Sequence, residues 1–144
     1  MNPNAPPASA GDLFVFYGLL KLGAEGQPAD LPLASAGVFG APCRFRGRMV
    51  DLGGFPGVVD GGDLCHGIRW ELKDTAIVAP MDAFEDVTGD PATSLYIRRR
   101  IPLCDDSGQE TGETAWIYWY NQPVDGFAAV ADGNWPLGAG RTRK

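Results

Sequence analysis

Leu13-Phe14-Val15-Phe16-Tyr17-Gly18-Leu19-Leu20-Lys21 is the stretch around which the chain is organised. Its run of apolar residues from Leu13 to Tyr17 marks a strand buried on both faces. Gly18 breaks the run, at a point where the backbone can turn sharply or let a ligand approach closely. A strand that stops in a turn leaves the N–H groups of Gly18, Leu19 and Leu20 outside the ladder. Successive free N–H groups form a concave nest for anions such as carboxylates. An ordinary core strand and turn would account for the same residues without a ligand.

Working outward, residues 42–52 alternate, with Phe45, Gly47 and Met49 on one face and Arg44, Arg46 and Arg48 on the other. That suits a strand with one wet face. Gly53 to Gly57 reads as a turn, Val58-Val59 as a short strand, and Asp60-Gly61-Gly62-Asp63 as a hairpin signal. Cys65–Leu72 is the next strand, with Ile68, Trp70 and Leu72 sharing a face. Leu95–Leu103 and Ala115–Tyr120 complete the set. Residues 21–36 carry Gly23, Gly26, Pro28 and Pro32 and read as loop, with room for a helical turn near Leu31–Ser35. Residues 75–86 follow the helical period through Ile77, Met81 and Phe84, capped by Asp74 or Thr75. Pro80 predicts a kink there, or two short pieces. Asp125–Asp132 predicts a short helix stopped by Gly133. About six short strands with one or two outer helices predict an α+β fold, a small mixed β-barrel that can hold one small ligand in its mouth.

The chain has 144 residues. That predicts one domain at 12–137, preceded by a disordered leader at 1–11 and followed by a flexible basic tail at 138–144. A net charge of −6 argues against nucleic acid and anionic membranes as partners. Residues 1–11 lack the apolar segment of a signal peptide, and nothing reaches the length of a membrane span. The three cysteines lack metal-type spacing. Together these predict a cytoplasmic protein with free thiols, either a monomer or a weak homodimer.

Candidate chemistry begins with absences. The single histidine, His66, cannot form a zinc site with thiols at 43, 65 and 104. Cys65 and His66 are strand neighbours pointing to opposite faces, so they are no nucleophile–base pair. No nucleotide-binding glycine motif occurs, so no cofactor and no metal are expected. Arg98-Arg99-Arg100 is split by strand alternation and reads as charge-paired surface arginines. Glu85 stands out: on a helix it lies on the side of Met81, near Phe84 and Ile77, partly dry and suited to general acid/base work. At the edge of that stripe its carboxylate would instead sit in water. Asp82 and Asp86 lie further round and are expected to be wetter. Trp116, Tyr118, Trp119 and Tyr120 are sheet packing first; tyrosine hydroxyls facing a cavity can also orient a polar ligand.

These pieces, taken together, form a pattern. Phe16-Tyr17-Gly18-Leu19-Leu20-Lys21 resembles the opening Tyr-Gly-(Thr/Ser)-Leu motif of the gamma-glutamylcyclotransferase-like superfamily. Gly54-Phe55-Pro56-Gly57-Val58-Val59 is similar to its aromatic-Pro turn, and His66 to Leu72 to its Val-x-Gly-Glu-Val-Tyr strand. Met81-Asp82-Ala83-Phe84-Glu85 resembles its Leu-Asp-x-(Phe/Tyr)-Glu helix end, and Tyr96-Ile97-Arg98 its Tyr-x-Arg strand. Ala115 to Tyr120, with Pro123 to Gly126, resembles the closing segment of small bacterial members. The resemblance spans nearly the whole chain after residue 12. It implies a barrel with a cavity at one end, a cofactor-free conversion of a γ-glutamyl amide or amine derivative to 5-oxoproline and a free amine, and Glu85 as general acid/base. Substrate contacts are expected at Tyr17, Gly18, Leu19 and Leu20, and at Tyr96 and Tyr118. Leu19 replaces the usual Thr or Ser, and Pro80 interrupts the helix that presents Glu85. A non-catalytic module binding a small molecule in the same cavity is the alternative expectation.

Overall fold

The computed structural model describes residues 4–21, 27–28, 30–90 and 92–136; residues 1–3 of the expected leader and the expected tail at 138–144 lie outside them. Five strands, β1 (Leu13–Phe16), β2 (Gly37–Asp51), β3 (Pro56–Leu72), β4 (Tyr96–Cys104) and β5 (Glu110–Tyr120), close into a barrel in the order β1-β3-β2-β4-β5. β1 runs antiparallel to β3, with Phe14 opposite Trp70, and parallel to β5, with Phe14 opposite Trp116. That one parallel seam makes the barrel mixed. Two short helices accompany it: α1 (Leu33–Ala36) and α2 (Val78–Phe84), the latter preceded by a 3-10 turn at Thr75–Ile77.

Among the described residues the strands number five rather than six because Asp60-Gly61-Gly62-Asp63 does not reverse the chain. β3 continues through it, paired with β2 on either side. Gly47 faces Asp63 and Arg48 faces Val59, so residues 60–62 are absorbed as a bulge. The true reversal lies at Gly53 and Gly54, with φ of +100° and +106°. There the Asp51 carboxylate accepts the Gly53 amide at 2.9 Å and Leu52 N–H donates to the Phe55 carbonyl at 2.9 Å. Turn chemistry occurs at both places, and β2 offers a partner on both sides of the second one.

Alternation along each strand builds two cores. Val15, Phe45, Met49, Val58, Cys65, Leu103 and Ile117, from all five strands, pack together in the barrel interior. Phe14, Phe16, Trp70, Leu72, Tyr96, Trp116 and Tyr118 face outward and are covered by Leu33, Ile77 and Met81. Trp70 is fully buried between the layers, with its indole N–H donating to the Leu33 carbonyl at 3.0 Å.

Pro80 gives the second of its two expected outcomes, two short pieces. The 3-10 turn is capped by the Asp74 carboxylate, which accepts the Ala76 amide at 3.0 Å. Pro80 then falls in the first turn of α2, where an amide has no intrahelical acceptor to lose. The expected helix at Asp125–Asp132 does not form. Instead Asp51 N–H donates to the Ala128 carbonyl and Val130 N–H to the Met49 carbonyl, at 2.9 and 2.8 Å, bridging the segment to β2. Sheet hydrogen bonding outcompetes a short helix that has no core to cover. Asn4 is also held: its carbonyl accepts the Arg98 amide at 2.8 Å and its side chain donates to the Thr88 carbonyl. Among the described residues no helix is long and apolar enough to cross a membrane.

All three thiols are buried and free. Burial pushes those of Cys43 and Cys65 up to about 11, so at pH 8 the thiolate, the reactive form, is scarce. Thiol titration with a chromogenic disulfide at pH 8 is therefore expected to be slow in the native protein. In denaturant it should run to three thiols per chain.

Candidate functional site

β1 ends at Phe16, and Lys21 N–H donates to the Gly18 carbonyl at 3.1 Å, closing a turn over Gly18 to Lys21. Among the described residues the amides of Gly18, Leu19 and Leu20 have no acceptor. Gly18 is needed here for close approach: a Cβ would lie 2.6 Å from Pro56 Cγ and 2.9 Å from its Cδ. The aromatic-Pro turn thus packs directly on the turn after β1. Gly18→Ala should cost about 1–3 kcal/mol by overpacking, read as a lowered urea midpoint. Adding Pro56→Ala removes the clashing atoms and should recover part of that loss.

Glu85 sits at the C-cap of α2 instead of on its apolar face, and it is half-buried. The helix stops in a Schellman motif. Asp86 N–H donates to the Ala83 carbonyl at 3.1 Å and Val87 N–H to the Asp82 carbonyl at 2.9 Å. The residue in the left-handed position is Asp86, with φ +54°, the one non-glycine residue described with positive φ. Aspartate tolerates that region better than most residues, although glycine is the usual occupant. Val87 packs against the outer core, and the Asp86 carbonyl accepts Leu95 N–H at 3.0 Å. The backbone that carries Glu85 is therefore fixed on both sides.

Asp82 corrects the expectation of a wet carboxylate: it is 9 % exposed. Arg98, expected at the surface, is 3 % exposed. The two meet as a fork, Arg98 Nε to Oδ1 at 3.0 Å and Nη2 to Oδ2 at 3.2 Å. The Tyr118 hydroxyl donates to the same Oδ1 at 2.7 Å. Arg98 lies over the Trp116 ring at 4.8 Å, and its Nη1 is buried with no hydrogen-bond partner; the ring face offsets part of that desolvation. Burial first, and then the Asp82 charge, pushes the Tyr118 hydroxyl well above its ordinary range, so it remains a donor. Arg99 and Arg100 do stay exposed, over Trp119 and Trp116, and Arg100 pairs with Asp12 at 3.2 Å. The clue to Arg98 was in the alternation: it shares a face with Tyr96 and stands opposite Tyr118. Nothing in the spacing singled out Asp82 as its partner.

The turn, the helix end and the sheet converge on one cleft. Gly18, Leu19, Leu20, Tyr17, Tyr96, Tyr118 and Glu85 all line it, together with Phe55 and Pro56. The Tyr17 hydroxyl donates to the Tyr118 carbonyl and the Tyr96 hydroxyl to the Pro56 carbonyl, each at 2.6 Å. These tyrosines tie the walls together and present ring surface to the cleft. Its free volume is about 20 Å³, on the order of one water molecule. Half-buried Phe55, at the tip of the β2–β3 hairpin, forms part of its rim. Among the described residues no group of three or more His, Cys, Asp or Glu side chains gathers to hold a metal.

The chain is thus an α+β protein, a closed five-stranded barrel with a small cleft at the end of its first strand. Residues 14–137 match the family described as gamma-glutamyl cyclotransferase, AIG2-like; the chain belongs to that family. It is 32% identical over 88 residues to the gamma-glutamylcyclotransferase family protein YtfP of Escherichia coli. That alignment covers 61% of this chain and 66% of YtfP, a little under two thirds of its length. The solution structure of E. coli YtfP superposes with a TM-score of 0.61 at 25% identity, over 85% of this chain and 95% of that one. An uncharacterized Pyrococcus horikoshii protein shares the fold at 14% identity, with a TM-score of 0.60 over 85% of this chain and 88% of its own.

Proposed function

We propose that this protein is a cyclotransferase that converts a γ-glutamyl amide or amine derivative into 5-oxoproline and a free amine. The observation that carries the reading is that Glu85 and the turn Gly18 to Leu20, whose amides have no acceptor among the described residues, line the same cleft. The amides receive the substrate's α-carboxylate. Glu85 takes a proton from the α-ammonium group, and the freed amine attacks the γ-carbonyl carbon of the same molecule. The new C–N bond closes a five-membered lactam. The bond to the departing amine then breaks as Glu85 returns the proton to it. Both reacting groups belong to one molecule, and such geometry is worth an effective molarity of roughly 10⁵–10⁸ M, so the chemistry needs no cofactor. Leu19 removes the hydroxyl its relatives place in the turn; backbone amides do not depend on it.

The test is incubation with a panel of γ-glutamyl amines and peptides, with 5-oxoproline as the readout. Product that requires the protein supports turnover. Thermal stabilisation by the same compounds without product would assign a binding module instead. The amine half contacts the rim, so the panel also defines the leaving group.

A further inference from the structure

A second, larger cavity lies on the other side of the turn that follows β1. It measures about 410 Å³ and is lined by Lys21, Phe39, Gly40, Ile68, Asn134 and Trp135, together with Pro136. It opens where β2 bulges, with residues 40 and 41 inserted between the pairs Phe39–Trp70 and Pro42–Ile68. The walls are mostly apolar. One buried cation lies in them. Lys21 is 5 % exposed, donates to the Trp135 carbonyl, and forms no ion pair among the described residues. A buried ammonium whose only described partner is a neutral carbonyl is costly unless an anion completes it. Asn134 adds an amide at the rim, and Phe39, Ile68 and Pro136 suit a hydrocarbon chain.

We propose that this cavity binds a small monocarboxylate with an apolar tail, its carboxylate on Lys21 and its tail against Phe39 and Ile68. The site is distinct from the cleft at Glu85. Gly18 to Leu20 line that cleft and Lys21 lines this one.

The experiment is isothermal titration of the full chain at low salt with hexanoate, and with hexanamide and hexylammonium as matched controls. Hexanoate should bind at millimolar concentration or better, and the two controls should not. Lys21→Met keeps the stem and removes the charge, and should weaken hexanoate at least about tenfold, the loss of a charge-assisted hydrogen bond. Ile68→Trp fills the cavity without touching Lys21 and should abolish binding, so it decides the matter if Lys21→Met does not fold. The amides at Gly18 to Leu20 can also take a carboxylate, but binding there would survive both substitutions. Undiminished affinity in either folded variant overturns the proposal, as does the absence of hexanoate binding to the wild type.

Discussion

If the proposed reaction holds, Glu85→Gln is expected to lower the rate of 5-oxoproline formation by about 10²–10⁴-fold, or about 3–5 kcal/mol of transition-state stabilisation, with little change in ligand affinity or melting temperature. Glutamine keeps the size and the hydrogen-bonding capacity of glutamate but cannot carry the proton. Binding survives because the proposed seat of the α-carboxylate is the backbone at Gly18 to Leu20. Stability survives because Glu85 is half-buried at a helix end held by its own backbone: its N–H donates to the Met81 carbonyl at 3.0 Å, and neither that bond nor the motif at Asp86 uses the side-chain carboxylate. Asp86→Asn is the matched control. Asparagine also tolerates the left-handed position, so that variant should keep most of its activity. Wild-type turnover by Glu85→Gln would remove Glu85 as the acid/base.

Asp82→Ala lowers stability by about 3–5 kcal/mol, because it strands the buried Arg98 charge. At roughly 2–4 °C per kcal/mol for a domain of this size, the melting point should fall by about 6–20 °C. The same change removes the acceptor of the Tyr118 hydroxyl, and Tyr118 is a wall of the cleft. Activity should therefore fall together with stability, whereas Glu85→Gln separates the two. The triple change Asp82→Leu, Arg98→Met and Tyr118→Phe replaces every member of the polar cluster by an apolar group. It should recover most of the lost stability, since well-packed apolar residues replace buried ion pairs at little cost. Calorimetric melting of the four proteins checks both statements. An Asp82→Ala protein that melts with the wild type would show that the pair is solvated and contributes nothing.

Asp82 and Glu85 show where reading a sequence stops. Both belong to one stretch with apolar residues at the helical period, and a straight helix through residue 86 puts Glu85 near the stripe and Asp82 out in water. The helix is shorter: it begins after a 3-10 turn, carries Pro80 in its first turn and stops at Phe84. Glu85 thereby becomes a cap, and Asp82 turns inward to a guanidinium sixteen residues away in sequence. A buried charge is affordable only beside its partner, and the partner is chosen by the fold.

The chain's local order determined a good deal by itself. The apolar run Leu13 to Tyr17, the alternation in residues 42–52 and 95–103, and the aromatic segment before Gln122 each mark a strand through side-chain period alone. Together with the order of the family motifs they identify the barrel and gather Tyr17 to Leu20, Tyr96, Tyr118 and Glu85 as candidates for one site. Period is a property of neighbours in sequence, so these features are legible without coordinates. The tertiary structure decided what depends on distant partners. Continued pairing with β2 turned Asp60 to Asp63 into a bulge and drew residues 128–130 out of a helix. The approach of Pro56 made Gly18 necessary, and the ion pair between Asp82 and Arg98 put two charges inside. The cavity beside Lys21 likewise exists only because a bulge in β2, the turn after β1 and the segment at Trp135 meet there. Each of these outcomes depends on which backbone group or charge finds an acceptor elsewhere in the chain, and that competition is settled only when the barrel closes.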